Sequence, residues 1–284
     1  MNTYYCLVAG FPDISLDDGK LSCSVSDFRT DVYPQLASSD QKLVDLFYLK
    51  FDNQNLISLL KDKEAPVKTE GTLTGEELLA LIETVRNGDI PDKKYPAYLS
   101  EFVSQYINLA SEDLYKAEDL LASLYYQYAM SCKNQFISEW FEFNLNVNNI
   151  LSAYAARKYK LDVASVIVGN TPACEQLRTS NARDFGLGDT IDYMDQVQRI
   201  SETEELVERE RKIDTLKWKW LEEQSFFYYF TIERIFVFLM FLDMTERWIS
   251  LDKQKGYELF RQMIENLKEE ISIPDEFKNN KTNR

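Results

Sequence analysis

Between Pro96 and Pro172, and again between Pro172 and Pro274, the chain contains no proline. A proline inside a helix removes a backbone hydrogen bond and clashes with the preceding turn, so such stretches leave helices free to extend. Only nine glycines and seven prolines occur among 284 residues. Alternating β-branched runs are almost absent, and the best strand candidate, "VASVIVG" (163–169), is short. The expected fold is all-α.

Helix signals sit where this reading needs them. "TGEELLALIETVRNG" opens with Thr74 and carries Glu77 three residues later, a capping box, and closes at Gly88. "SEDLYKAEDLLASLYYQYAMSCKNQF" starts with Ser111 as a cap and two acids in the first turn. An apolar stripe then runs through Leu121, Tyr125, Tyr128, Cys132, Phe136, Trp140, Phe143, Val147, Ile150 and Tyr154 in steps of three and four. The asparagines at 144, 146, 148 and 149 are poor helix formers, so a kink or break is expected among them. Residues 169–190 read as a loop-rich interruption, 201–224 as a charged helix, 252–271 as a last amphipathic helix, and "KNNKTNR" as a frayed tail.

The stretch "FFYYFTIERIFVFLMFLDMTERW" (226–248) holds sixteen apolar or aromatic side chains in twenty-three. Its longest uninterrupted apolar run is "IFVFLMFL" (235–242), far below the roughly 20 residues a bilayer requires. Glu233 and Arg234 interrupt it, and burying them in lipid would cost several kcal/mol each. Wound at 100° per residue, the apolar side chains cover nearly the whole circumference, the pattern of a helix enclosed by protein. Asp243 and Arg247 are spaced for an i,i+4 pair. Glu233 and Arg234 need counter-charges from elsewhere in the fold, as a structural ion pair or by reaching the surface.

Charge and residue usage narrow the function. The net charge of −15 repels phosphate backbones and anionic lipid, which argues against nucleic-acid binding and leaves solubility or the docking of a basic partner. No histidine is present, which removes Ser–His–Asp, Cys–His, His-ligated zinc and Glu-x-x-His chemistry. Cys6, Cys23, Cys132 and Cys174 form no CxxC pair and are expected as buried reduced thiols. The opening "MNTYYCLVAGF" lacks a basic n-region, so a cytosolic, reducing compartment is expected. "GLGD" (186–189) is too short for a dinucleotide loop, and no phosphate-binding loop occurs. Glu204, Glu205 and Glu208 read as a solvated helical face beside Arg209, Arg211 and Lys212 rather than as metal ligands. No cofactor is expected.

A faint repeat remains. "FDNQNLISLL" (51–60) lies over "LNVNNILSAY" (145–154), matching Asp52 with Asn146, Asn55 with Asn149, and Leu56–Ile57 with Ile150–Leu151. "FTIERIFVFL" (230–239) is a looser third copy containing Glu233 and Arg234. The polar positions share one helical face, where they can cross-link neighbouring helices.

These segments resemble the recurring element of the C/d subunit of V-type and archaeal-type ATPases. In that element an acidic residue, two variable residues, Asn and Leu open a helix that leads through a basic pair to a hydrophobic-Gly turn. Arg157–Lys158 and Val166–Ile167–Val168–Gly169 stand in those places here. The segment at 230–239 is similar to the C-terminal copy but lacks its asparagine. "YYCLVAGFPDI" resembles the start of an uncharacterised bacterial family whose genes lie among those of V-type ATPases. The resemblance implies a funnel-like bundle of three pseudo-repeated helical modules, at about 1–95, 96–180 and 181–284 within a single domain. It also implies a non-catalytic part of a V-type ATPase, in the cytoplasm and peripheral to the inner membrane. Its partners would be the membrane proteolipid ring and the central-stalk subunits. The alternatives are an all-α scaffold or adaptor unrelated to the ATPase, or an enzyme working through carboxylates or tyrosines such as Glu233 and Tyr228.

Overall fold

A computed structural model describes residues 2–110, 114, 116–251, 258 and 263. The final amphipathic helix and tail expected beyond 251, and the cap expected at Ser111, lie outside the described residues. Within them the chain is all-α and contains no strand. Its helices are α1 (Tyr5–Ala9), α2 (Val25–Asp27), α3 (Ser38–Lys61), α4 (Gly75–Arg86), α5 (Ala97–Ile107) and α6 (Ala117–Met130). They continue with α7 (Gln135–Tyr159), α8 (Pro172–Thr179), α9 (Met194–Ser201), α10 (Leu206–Gln224) and α11 (Ile232–Ser250).

The capping box before α4 forms as read: Thr74 Oγ1 accepts from Glu77 N, and Glu77 accepts from Thr74 N. Gly88 follows this helix in the left-handed conformation, φ +78°. Consecutive helices pack on one another from α3 to α7, and α7 also meets α8, α9, α10 and α11. That position explains α7's twelve buried side chains.

Three expectations need correction. The break in the long stripe falls at 131–134 and not among the later asparagines. Asn134 caps α7 by accepting from Ile137 N, and α7 then runs unbroken to Tyr159. Two of the asparagines are compensated by bonds outside the helix, Asn148 to the Tyr126 hydroxyl and Asn149 to a loop, while Asn144 bonds Trp140 O in its own helix. Those bonds outweigh a propensity penalty of a few tenths of a kcal/mol each. Second, only part of 226–248 is an enclosed helix. α11 begins at Ile232, with Phe236 and Leu239 fully buried, whereas Phe226, Phe227 and Tyr229 lie on a turn and are exposed. Third, Asp243 and Arg247 do not pair with each other. Asp243 takes Lys50 at 2.8 Å, and Arg247 takes the buried Asp214, which also accepts from Trp248 Nε1 at 2.6 Å. "VASVIVG" holds a 3-10 turn, Ala164–Val166. Of the thiols, Cys174 is buried as expected but Cys6 is exposed.

The N-terminal segment closes the bundle against α11. Tyr4 N donates to Phe230 O at 2.7 Å, Phe11 stacks on Phe238 at 3.9 Å, and Val25 N donates to Glu246.

Candidate functional site

Asn55 and Asn149 perform the same task in two places. Asn55 Oδ1 accepts from Lys68 N at 2.7 Å while its Nδ2 donates to Lys68 O at 2.9 Å. Asn149 Oδ1 accepts from Val168 N at 2.9 Å while its Nδ2 donates to Val168 O at 2.7 Å. Each amide imitates a paired strand: one side chain satisfies both backbone groups of one loop residue. In each case a threonine N-cap follows, Thr74 for α4 and Thr171 for α8. The expectation of cross-links between helices is therefore corrected: these asparagines bind the returning loop behind their own helix.

The residues flanking the clamps reinforce them. Arg29 donates to Glu70 O and Gly71 O. Arg178 donates to Ile167 O and Gly169 O, and Arg157 holds the carbonyls of Ser180, Ala182 and Arg183. Gly169 lies at φ +85°, a conformation side chains strain to adopt, with Leu145 packed close behind it. At Gly71 a Cβ would collide with Asp52 Oδ1.

The matched positions one turn earlier differ. Asp52 is fully buried and accepts from Thr72 N at 2.8 Å, Thr72 Oγ1 at 2.7 Å and Leu73 N at 3.0 Å. Burial outweighs these bonds and pushes its carboxyl above the usual range. Asn146 is also buried, but its Nδ2 makes only a long 3.4 Å bond to the Tyr193 hydroxyl, and its Oδ1 accepts nothing.

The third segment is placed otherwise. Thr231 is the N-cap residue of α11, so Glu233 and Arg234 occupy its first turn and not mid-helix. Glu233 is buried and neutral donors hold it: Asn134 Nδ2 at 2.7 Å and the Thr231 hydroxyl. Arg234 is partly exposed and grips no loop among the described residues. Burial first, then the Glu233 and Glu139 charges, push the Tyr228 phenol up, opposite to what a tyrosinate base requires.

A groove of about 780 Å³ opens between α7, the start of α8, the loop 186–193 and the end of α10. Asn146, Phe143, Tyr193 and Trp220 line it, with Glu139, Glu142 and Asp192 among its carboxylates. Phe143 stacks on Trp220 at 4.9 Å and meets Tyr193 edge-on at 4.7 Å. Burial pushes the Tyr193 phenol up to about 12, with Glu142 and Asp192 adding to the rise. Sequence reasoning assigned Phe143 to the core stripe and missed the groove, since Tyr193 and Trp220 reach it from distant segments. The "GLGD" amides serve this region's own fold: Asp184 accepts from Gly186 N and Gly188 N.

No curated protein and no solved structure matches the chain. One family model does, over residues 1–271, and the chain therefore belongs to the family described as "Protein of unknown function (DUF2764)".

Proposed function

We propose that the chain is a non-catalytic component of a V-type ATPase, similar to its C/d subunit, that links the central rotor stalk to the membrane proteolipid ring. The observation that carries this reading is the repeated asparagine clamp. The motif that resembles the C/d subunit is an Asn-bearing helix, a basic pair and a hydrophobic-Gly turn. Here the asparagine and the turn are in physical contact, since Asn149 holds Val168, while Arg157 of the basic pair holds the carbonyls of Ser180, Ala182 and Arg183 further along the chain. A motif whose members hold each other together is a structural unit. Asn55 makes the same clamp on an earlier helix. Torque transmission asks for such stiffness, with loops bonded to helices so that the module moves as one body.

In this reading the modules form a funnel, the third built around α11, and the protein is peripheral to the membrane through its partners. No helix among the described residues is long and apolar enough to cross a membrane, so contact with the ring would run through protein surfaces. The test is to tag the chain in its native cell, solubilise membranes gently and identify what co-purifies. Proteolipid and central-stalk subunits are expected at fixed ratio, with no ATP turnover by the isolated chain. Recovery without any ATPase subunit, or intrinsic turnover, would overturn the proposal.

A further inference from the structure

The N-terminal segment closes the bundle against α11, yet no residue from 2 to 27 is buried. α1 has no buried side chain and no side-chain cap. The segment is held at a few points: Tyr4 on Phe230 O and Asp40, Phe11 on Phe238, and Val25 on Glu246. Elements with so little buried area open locally at a free energy well below that of global unfolding.

Two of the four thiols share one pocket in this segment. The pocket, about 470 Å³, has Phe11, Val32 and Phe238 among its walls. Cys6 of α1 lines it together with Cys23, which directly precedes the Ser24 cap of α2. The other two thiols have structural partners: Cys132 donates to Asn134 O at 3.3 Å, and the buried Cys174 to Val168 O at 3.2 Å. Cys23 makes only a 3.6 Å contact, with Ser24 O. Cys6 is exposed, so an oxidant in solution reaches it first. Cys23 is half-buried; burial, then the charges of Asp27, Asp31 and Glu246, push its thiol up and keep it from reacting early. An accessible thiol beside a shielded one that can resolve it is the arrangement of a reversible thiol switch.

We propose that Cys6 and Cys23 are a peroxide-responsive pair whose disulfide fastens the N-terminal segment in its closed position. The Cys6 thiolate attacks one oxygen of hydrogen peroxide, the O–O bond breaks, and Cys6 becomes a sulfenic acid while the leaving hydroxide takes up a proton. The Cys23 thiolate then attacks the Cys6 sulfur, the S–O bond breaks, and a second water departs. Two thiols lose two electrons and two protons, and the peroxide is reduced to two waters. A disulfide requires the two Cα atoms to come within about 7 Å. The unburied α1, and a chain without helix between Ala9 and Val25, supply the freedom for that approach. In a reducing compartment such a bond lasts only while oxidant is present, as a signal and not as a permanent staple. The proposal is independent of the ATPase reading.

The test uses the full chain, reduced, treated with hydrogen peroxide, alkylated and digested. Mass spectrometry should find Cys6 linked to Cys23 within one chain, with Cys132 and Cys174 still thiols. Cys23→Ser should stop the reaction at the sulfenic acid, so that dimedone labels Cys6. Cys6→Ser should leave Cys23 a thiol at the same dose. Hydrogen–deuterium exchange at residues 11–25 should slow about tenfold on oxidation and recover with dithiothreitol. Both positions lie outside the buried core, and the wild-type link needs no variant at all, so misfolding does not obscure the result. Cys6 oxidised without a link to Cys23, or linked to the Cys6 of a second chain, would overturn the proposal. So would a Cys6–Cys23 bond that leaves the exchange unchanged.

Discussion

Replacing Asn149 with alanine removes the clamp on Val168 and little else. Two bonds, at 2.7 and 2.9 Å, disappear, together with the 3.3 Å contact from Nδ2 to the Cys174 sulfur. Val168 O keeps Cys174 Sγ as a donor at 3.2 Å, but Val168 N loses the one partner it has among the described residues. One orphaned amide costs about 1–3 kcal/mol and the second bond about 1 kcal/mol net, offset by the better helix propensity of alanine, about 0.5 kcal/mol. The expected loss is about 1.5–3.5 kcal/mol. Asn55→Ala removes an equivalent pair from Lys68 and should cost about the same. Asn144→Ala is the internal control. It lies on the same helix, bonds only its own turn at Trp140 O, and should fall within about 0.5 kcal/mol of neutral. Urea unfolding followed by circular dichroism measures all three. Equal losses at 144 and 149 would refute the clamp argument, because propensity alone would then explain them. So would a large loss at 149 beside none at 55.

Further outcomes follow from the same contacts. Gly71→Ala should destabilise by about 1–3 kcal/mol, because its Cβ must displace the bonded Asp52 carboxylate; an unchanged melting temperature would show the loop to be pliable. Phe236→Ala should cost about 3–5 kcal/mol from the enclosed α11, whereas Phe227→Ala, at 81% exposure, should cost almost nothing in the same denaturant assay. Burial raises the Asp45 carboxyl above its usual range, against the bond from the Tyr33 hydroxyl at 2.7 Å. Its contribution to stability is therefore fully present below the unfolded pKa of about 3.9 and is lost as pH rises through the higher folded value. The stability difference between wild type and Asp45→Asn should accordingly grow as pH falls from 7 toward 4; a constant difference in melts across that range would contradict the sign.

The helical class was legible because proline spacing and caps act locally, and Thr74, Glu77 and Gly88 work as local chemistry dictates. Asn55 and Asn149 were visible as a pattern, but their partners were not. A loop residue thirteen or nineteen positions away leaves no periodic trace in the helix that binds it. Long-range bonds also compensate Asn148 and Asn149 in α7, where propensity marks a break. At 226–230 the error ran the other way. Aromatic composition implied burial, but the chain turns after Ser225 and leaves three rings exposed. Thr231, an N-cap residue type, was the available signal that α11 starts later. The groove was invisible because its walls come from α7, α10 and the 186–193 loop, and only the fold brings them together.

The two clamps also set an order of events for a chain that must fold. Each closes a short loop, thirteen or nineteen residues, so its entropy is recovered early and beside its own helix. The tie between Lys50 and Asp243 spans 193 residues, and the backbone bond from Tyr4 to Phe230 spans still more of the chain. During synthesis the helix carrying Asn55 can clasp its loop while α11 is still untranslated. The N-terminal segment settles only in part: Asn2 and Tyr4 reach Asp40, but Phe11 and Val25 wait for Phe238 and Glu246 to emerge. Until then Phe11 and Val25 lack these partners, and that interval is when the nascent chain is most open to chaperones and to aggregation.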